Sequence, residues 1–163
     1  MVSEEWPLVY LLISSYKRTE LALRSISLIK QNLYYPNLWW HICDDNSQLT
    51  DDRTNRRHVD VLAEAIGSNV SYHEMTTPEG QINLGGCVNV GIQLALERGA
   101  EMVFITCDDD APIEPFDLRP HVDLLQNYPE AGAVRCAPLS EGLGLNVTST
   151  RIPRLDDHEY RDW

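Results

Sequence analysis

Met102-Val103-Phe104-Ile105-Thr106-Cys107-Asp108-Asp109-Asp110-Ala111-Pro112 carries an apolar run that breaks into three consecutive carboxylates. The run has the length and apolar character of a strand covered on both faces, and such strands belong to parallel sheets. Like charges repel, and burying one unpaired carboxylate costs several kcal/mol (roughly, after relaxation). Three of them at the end of a buried strand therefore demand a cation.

The segments on either side alternate in period. Residues 9–13 form a short β-rich run. Thr19 follows as the expected helix cap, ahead of Leu21, Ala22, Ile26, Ile29 and Leu33 at helical spacing. Residues 38–43 read as a second strand, and Val59, Leu62, Ala63 and Ile66 as a helix stopped by Gly67. Residues 70–73 make a weaker third strand. A helix over about 86–98, with Cys87, Gly91, Leu94 and Ala95 on one face and Gly99 at its end, then leads into the 102–107 strand, expected to be fully buried. Beyond Pro112 and Pro115, residues 118–127 read as a helix and 132–136 as one more strand; after Pro138 the pattern fades. Strands alternating with amphipathic helices imply an α/β fold, a mostly parallel sheet with helices on both faces.

Composition narrows the function. At 163 residues and 43% hydrophobic, the chain has material for one domain with its own core. Its net charge of −12 argues against nonspecific binding to nucleic acid or an anionic membrane, both of which need clustered Lys and Arg. The apolar runs are too short to span a bilayer. No basic start followed by a long apolar stretch suggests a signal peptide. Cys43, Cys87, Cys107 and Cys136 are widely spaced and form no Cys-x-x-Cys pair, so the spacing suggests neither a zinc site nor a disulfide framework, and a cytoplasmic setting is expected.

Ligands of open parallel sheets bind beyond the carboxyl ends of the strands. Those ends carry Ser14, Ser15, Tyr16, Lys17 and Arg18 after the first strand, Asp44, Asp45, Asn46 and Ser47 after the second, and Asp108 to Asp110 after the 102–107 strand. Asp44 and Asp45 suit either a turn or a carboxylate that accepts from a base N–H or a ribose hydroxyl. Asp108, Asp109 and Asp110 suit either a capping turn or hard oxygen ligation of Mg²⁺ or Mn²⁺ together with substrate phosphates. The glycines of Asn83-Leu-Gly-Gly-Cys-Val-Asn89-Val-Gly91 open a helix but do not spell a dinucleotide fingerprint, and no phosphate-binding Gly-Lys-Ser/Thr loop or Gly-x-Ser-x-Gly elbow is present.

In order and spacing, Val9-Tyr-Leu-Leu-Ile-Ser-Ser-Tyr-Lys-Arg, Ile42-Cys-Asp-Asp-Asn-Ser, the Asn83 to Gly91 stretch and Phe104-Ile-Thr-Cys-Asp-Asp-Asp-Ala-Pro resemble the nucleotide-binding half of GT-A fold glycosyltransferases, above all the inverting family 2 enzymes. The resemblance covers about residues 7–138 of a single domain, leaving 139–163 as a short tail or minimal acceptor segment. It implies a metal-dependent transfer of sugar from a UDP-, GDP- or dTDP-sugar to an unknown acceptor. Ser14, Tyr16, Arg18, Asp45, Asn89 and Asp108 would hold the nucleotide, with Asp45 near the base. Two of Asp108, Asp109 and Asp110 would form the Asp-x-Asp motif that binds Mn²⁺ or Mg²⁺, in either of two registers. The family's general base lies well beyond that motif; here Asp157, in Leu155-Asp-Asp-His-Glu-Tyr, is the candidate, and a charged tail is the other reading of that group. The short remainder implies a minimal acceptor site, one completed by a second copy or partner subunit, or a noncatalytic nucleotide-sugar binding module.

Overall fold

A computed structural model describes residues 6–45, 47, 50–51, 56–75, 83–128 and 130. The expected strand at 132–136, Cys136 and the tail with Asp157 lie outside the described residues. The chain divides into two compact units, Met1–Asp117 and Leu118–Trp163.

The first unit holds a four-stranded, all-parallel sheet. Its strands are β1 (Val9–Ser15), β3 (Leu38–Asp44), β6 (Val70–Glu74) and β7 (Met102–Cys107), in the order β6-β3-β1-β7. The helices are α1 (Thr19–Asn32), α2 (His58–Ile66) and α3 (Leu84–Glu97). Two small pairings complete the unit: β2 (Leu33–Tyr34) runs parallel to β8 (Phe116–Asp117), and β4 (Thr50–Asp51) antiparallel to β5 (Arg56–Arg57). The second unit contributes α4 (Arg119–Asn127), with Pro in its first turn, where the missing N–H costs nothing, and Val122 buried.

β1 is the central strand, and all seven of its residues are buried. Its pleat sends alternate side chains to opposite faces. Leu11 and Ile13 pack with Ile42 against Ala22, Ile26 and Ile29 of α1 and Val59, Leu62 and Ile66 of α2. Tyr10 and Leu12 pack with Cys43 against Cys87 and Ala95 of α3. Burial of each large aliphatic side chain stabilises by roughly 1.5–3 kcal/mol, so β1 joins two layers of core. Gly91 lets α3 approach the sheet: a Cβ there would lie 2.8 Å from Cys43 Sγ and 3.2 Å from Leu12 Cδ2.

The α/β class, the parallel sheet and its two helical faces follow the sequence reading, with three local differences. Thr19 does not cap α1; the capping position is Arg18, and Thr19 Oγ1 instead meets His58 Nδ1 at 2.8 Å. β7 is not fully buried: Ile105 is 51% exposed, because among the described residues β7 pairs only with β1 and forms the sheet edge. Finally, α3 begins at Leu84, where the Asn83 side chain accepts from Gly86 N–H at 3.0 Å. A Cβ on Gly86 would collide with that Asn83 side chain, so this glycine serves a helix cap.

Candidate functional site

The chain builds outward from β1 to β3 and β6 on one side, then crosses back through α3 to place β7 on the other. The carboxyl ends of β1 and β7 therefore flank the topological switch point, the usual location of a ligand crevice in open α/β sheets. Ser14, Ser15, Asp44, Asp45 and Asp108 are all brought to this end of the sheet, since Ser14 is in register with Cys43 and Cys107, and Ser15 with Asp44.

Asp108 is wholly buried, and both of its oxygens are engaged by the chain's own donors. Its Oδ2 accepts from Ser15 Oγ at 3.2 Å and from Tyr16 N–H at 3.3 Å, while Arg18 pairs with Oδ1. The same guanidinium donates to Asp109 Oδ2 at 2.9 Å, and the two acids raise the Arg18 pKa, Asp108 most strongly. Arg18 is thus the cation that the acidic strand end demanded. Asp110 is exposed; its backbone carbonyl accepts from Thr106 Oγ1 at 2.8 Å. Among the described residues the carboxylates of these three acids do not converge into one group of three ligands.

Around Asp108 runs a proton-ordered network. Ser15 donates to Asp108 and so accepts from His58 Nε2, 2.7 Å away, leaving His58 Nδ1 to accept from Thr19 Oγ1. Asp44 Oδ1 lies 3.8 Å from the same Nε2, and both Asp44 oxygens accept from Ser47, through its N–H at 2.8 Å and its hydroxyl. Serine and carboxylate therefore sit on one nitrogen of His58. A nucleophilic triad needs them on opposite nitrogens, so this group ties β1, β3, α1 and α2 together rather than activating Ser15. Ser47 Oγ also accepts from Lys17 N–H at 3.0 Å, holding Lys17 at φ 56° in the turn after β1.

Asp45 differs from its neighbours. It is completely buried, its Oδ2 accepts from Asn83 N–H at 2.8 Å, and its Oδ1 has no partner among the described residues. Tyr16 is half-buried with Lys17 Nζ 4.9 Å from its ring centroid. Ser14 is buried and donates to the Thr106 carbonyl at 3.3 Å, a bond across the β1–β7 seam. Asn89 is exposed on α3, about 200° around the helix from buried Cys87. Asp157 lies outside the described residues.

A second polar group lies on the α3 face of the sheet, at β3 and β6. His41, Cys43 and His73 each offer a ligand atom, and these lie within 4.8 Å of one another. Cys87, in the first turn of α3, places Sγ 3.4 Å from His73 Nε2. Its hydrogen bond from Cys43 is the main cause of a thiol pKa lowered to about 6, against the opposing effect of burial. Sequence spacing missed both His58 and this cluster, because lone histidines on strands and helices carry no motif.

No protein-family model matches the chain, and no curated protein matches it. No helix among the described residues is long and apolar enough to cross a membrane.

Proposed function

We propose that the chain binds a nucleoside-diphosphate sugar at the switch-point mouth and transfers the sugar to an acceptor, in the manner of the inverting GT-A enzymes it resembles. The observation that carries this reading is the buried, unpartnered Oδ1 of Asp45 at a strand end beside the crevice. A buried acceptor without a donor is costly, and a base N–H or ribose hydroxyl would supply one. Because Asp45 is fully covered, the nucleoside reaches this oxygen with movement of the chain over it. Tyr16 offers a ring face for the base. Arg18, half-exposed, offers N–H groups that would offset charge developing on the departing diphosphate.

Mg²⁺ or Mn²⁺ suits carboxylate oxygens chemically, but the donor arrangement does not fit: both Asp108 oxygens are engaged by Ser15, Tyr16 and Arg18, and Asp109 is engaged by Arg18. The cation role therefore falls to Arg18 in this reading, with metal dependence left to the binding test. A noncatalytic nucleotide-sugar binding module is the second reading, favoured by the engagement of both Asp44 oxygens by Ser47 and of both Asp108 oxygens by Ser15, Tyr16 and Arg18, which occupies the acids that would take an acceptor proton.

Thermal-shift titration with UDP, GDP, dTDP and their sugar derivatives, in Mn²⁺ and in excess chelator, tests the proposal. Stabilisation by at least one nucleoside diphosphate, lost in Asp45→Asn, is expected. Stabilisation by none of them overturns it, equal affinity in chelator removes the metal, and binding without release of nucleoside diphosphate from the sugar donor leaves the second reading.

A further inference from the structure

We propose that His41, Cys43, His73 and Cys87 form a zinc site that pins α3 to β3 and β6, independently of any nucleotide chemistry at the sheet's carboxyl end. The residues come from distant positions, but the fold converges them. β3 and β6 pair in register, His41 beside Ser71 and Cys43 beside His73, so two strands present three ligands on one face. The first turn of α3 lays Cys87 over them.

The donor set is the one zinc selects: two imidazoles and two thiols, with no hard oxygen. In a tetrahedral site, bonds of about 2.0–2.3 Å separate ligand atoms by roughly 3.3–3.8 Å. The ligand atoms of His41, Cys43 and His73 lie within 4.8 Å of one another, with His41 Nε2 and His73 Nδ1 2.8 Å apart; Cys87 Sγ lies 3.4 Å from the other ring nitrogen, His73 Nε2, so Cys87 joins the same ion as the His73 ring turns. Metal entry exchanges the His41–His73 hydrogen bond for two metal bonds. His73 supplies one of its two nitrogens.

The supporting shell is already built. His41 Nδ1 lies 2.8 Å from Ser71 Oγ and 3.2 Å from the Tyr10 hydroxyl, and Ser71 Oγ accepts from Trp39 Nε1–H and bonds the Tyr10 hydroxyl, each at 2.9 Å. With its proton on Nδ1, held by this shell, His41 would turn Nε2 and its lone pair toward the cluster, as a ligating histidine requires. His41, Cys43 and Cys87 are buried, whereas His73 is half-buried, and a surface groove lined by Tyr10, His41, Ser71 and Arg98 leads to His41. Charge also balances: binding expels one proton from each thiol, and two thiolates neutralise Zn²⁺, so no net charge is left in the core. An unliganded pair of thiols and imidazoles would serve packing no better than aliphatic side chains of the same volume.

The test uses the full chain, stripped with chelator and kept in a reductant that does not bind metal. One equivalent of Co²⁺ should produce the intense visible bands of a tetrahedral ion together with sulfur-to-cobalt charge transfer, and Zn²⁺ should displace it stoichiometrically. Cys87→Ser and His73→Gln should each reduce Zn²⁺ retention at least tenfold, whereas Cys107→Ser should leave it unchanged. A wild-type cobalt spectrum without charge transfer overturns the proposal even if the variants fail to fold. So does Zn²⁺ retention that survives both variants.

Discussion

Replacing Asp45 by asparagine should leave the ligand-free protein at least as stable as the parent while weakening nucleotide binding. The reasoning starts from the two carboxylate oxygens. Oδ2 accepts from Asn83 N–H at 2.8 Å, and an amide carbonyl can keep that bond at the loss of its charge assistance, about 1 kcal/mol. Oδ1 is buried without a partner, at a cost of roughly 1–3 kcal/mol, and the amide leaves a neutral group where a charged one stood. The difference favours the variant by about 0–2 kcal/mol. Urea unfolding followed by the fluorescence of Trp39 and Trp40 on β3 reads it directly. Loss of the hydrogen bond from the ligand to a charged acceptor, worth about 1.5–3 kcal/mol, should weaken nucleoside diphosphate binding by roughly 10–100-fold. Alanine is a poorer probe, since it also releases Asn83, the cap of α3. A variant destabilised by more than about 1 kcal/mol would show that Oδ1 is satisfied in solution. One that is stabilised but binds nucleotide normally would separate Asp45 from the ligand site.

Gly91→Ala should destabilise by roughly 1–2 kcal/mol in urea, because contacts of 2.8 Å to Cys43 Sγ and 3.2 Å to Leu12 outweigh the helix-propensity gain of about 1 kcal/mol; a stabilised variant would refute the close packing. Asp108→Asn should cost about 2 kcal/mol or more, whereas Asp109→Asn, whose side chain is 48% exposed, should stay within about 0.5 kcal/mol; equal losses would refute the burial argument. In the metal-free protein, burial first, then His73 and Arg98, lower the His41 pKa to about 4 from 6.5. The unfolded chain then binds the extra proton first, so stability is full above pH 6.5 and falls as the pH drops to about 4, by on the order of 3 kcal/mol. His41→Gln should flatten that slope, and an NMR titration placing His41 near 6.5 would contradict it.

The α/β class is legible in the sequence because it rests on local periods: apolar runs of strand length, and Val59, Leu62 and Ile66 at helical spacing with Gly67, at φ 96°, ending α2. The need for a cation at Asp108 to Asp110 was equally readable, since it follows from charge and burial alone. Its identity was not. Arg18 stands 90 residues from Asp108 in sequence, and only the parallel pairing of β1 with β7 brings them together. The same holds for Asp45, whose unpartnered oxygen depends on which donors the fold brings near it, and for His41, Cys43, His73 and Cys87, which share no spacing motif. Periodicity is a property of neighbours along the chain, so sequence determines elements and their faces. Hydrogen-bond satisfaction and ligand geometry are properties of neighbours in space, and those the register of β3 with β1 and β6, and the seating of α3 at Gly91, alone decided.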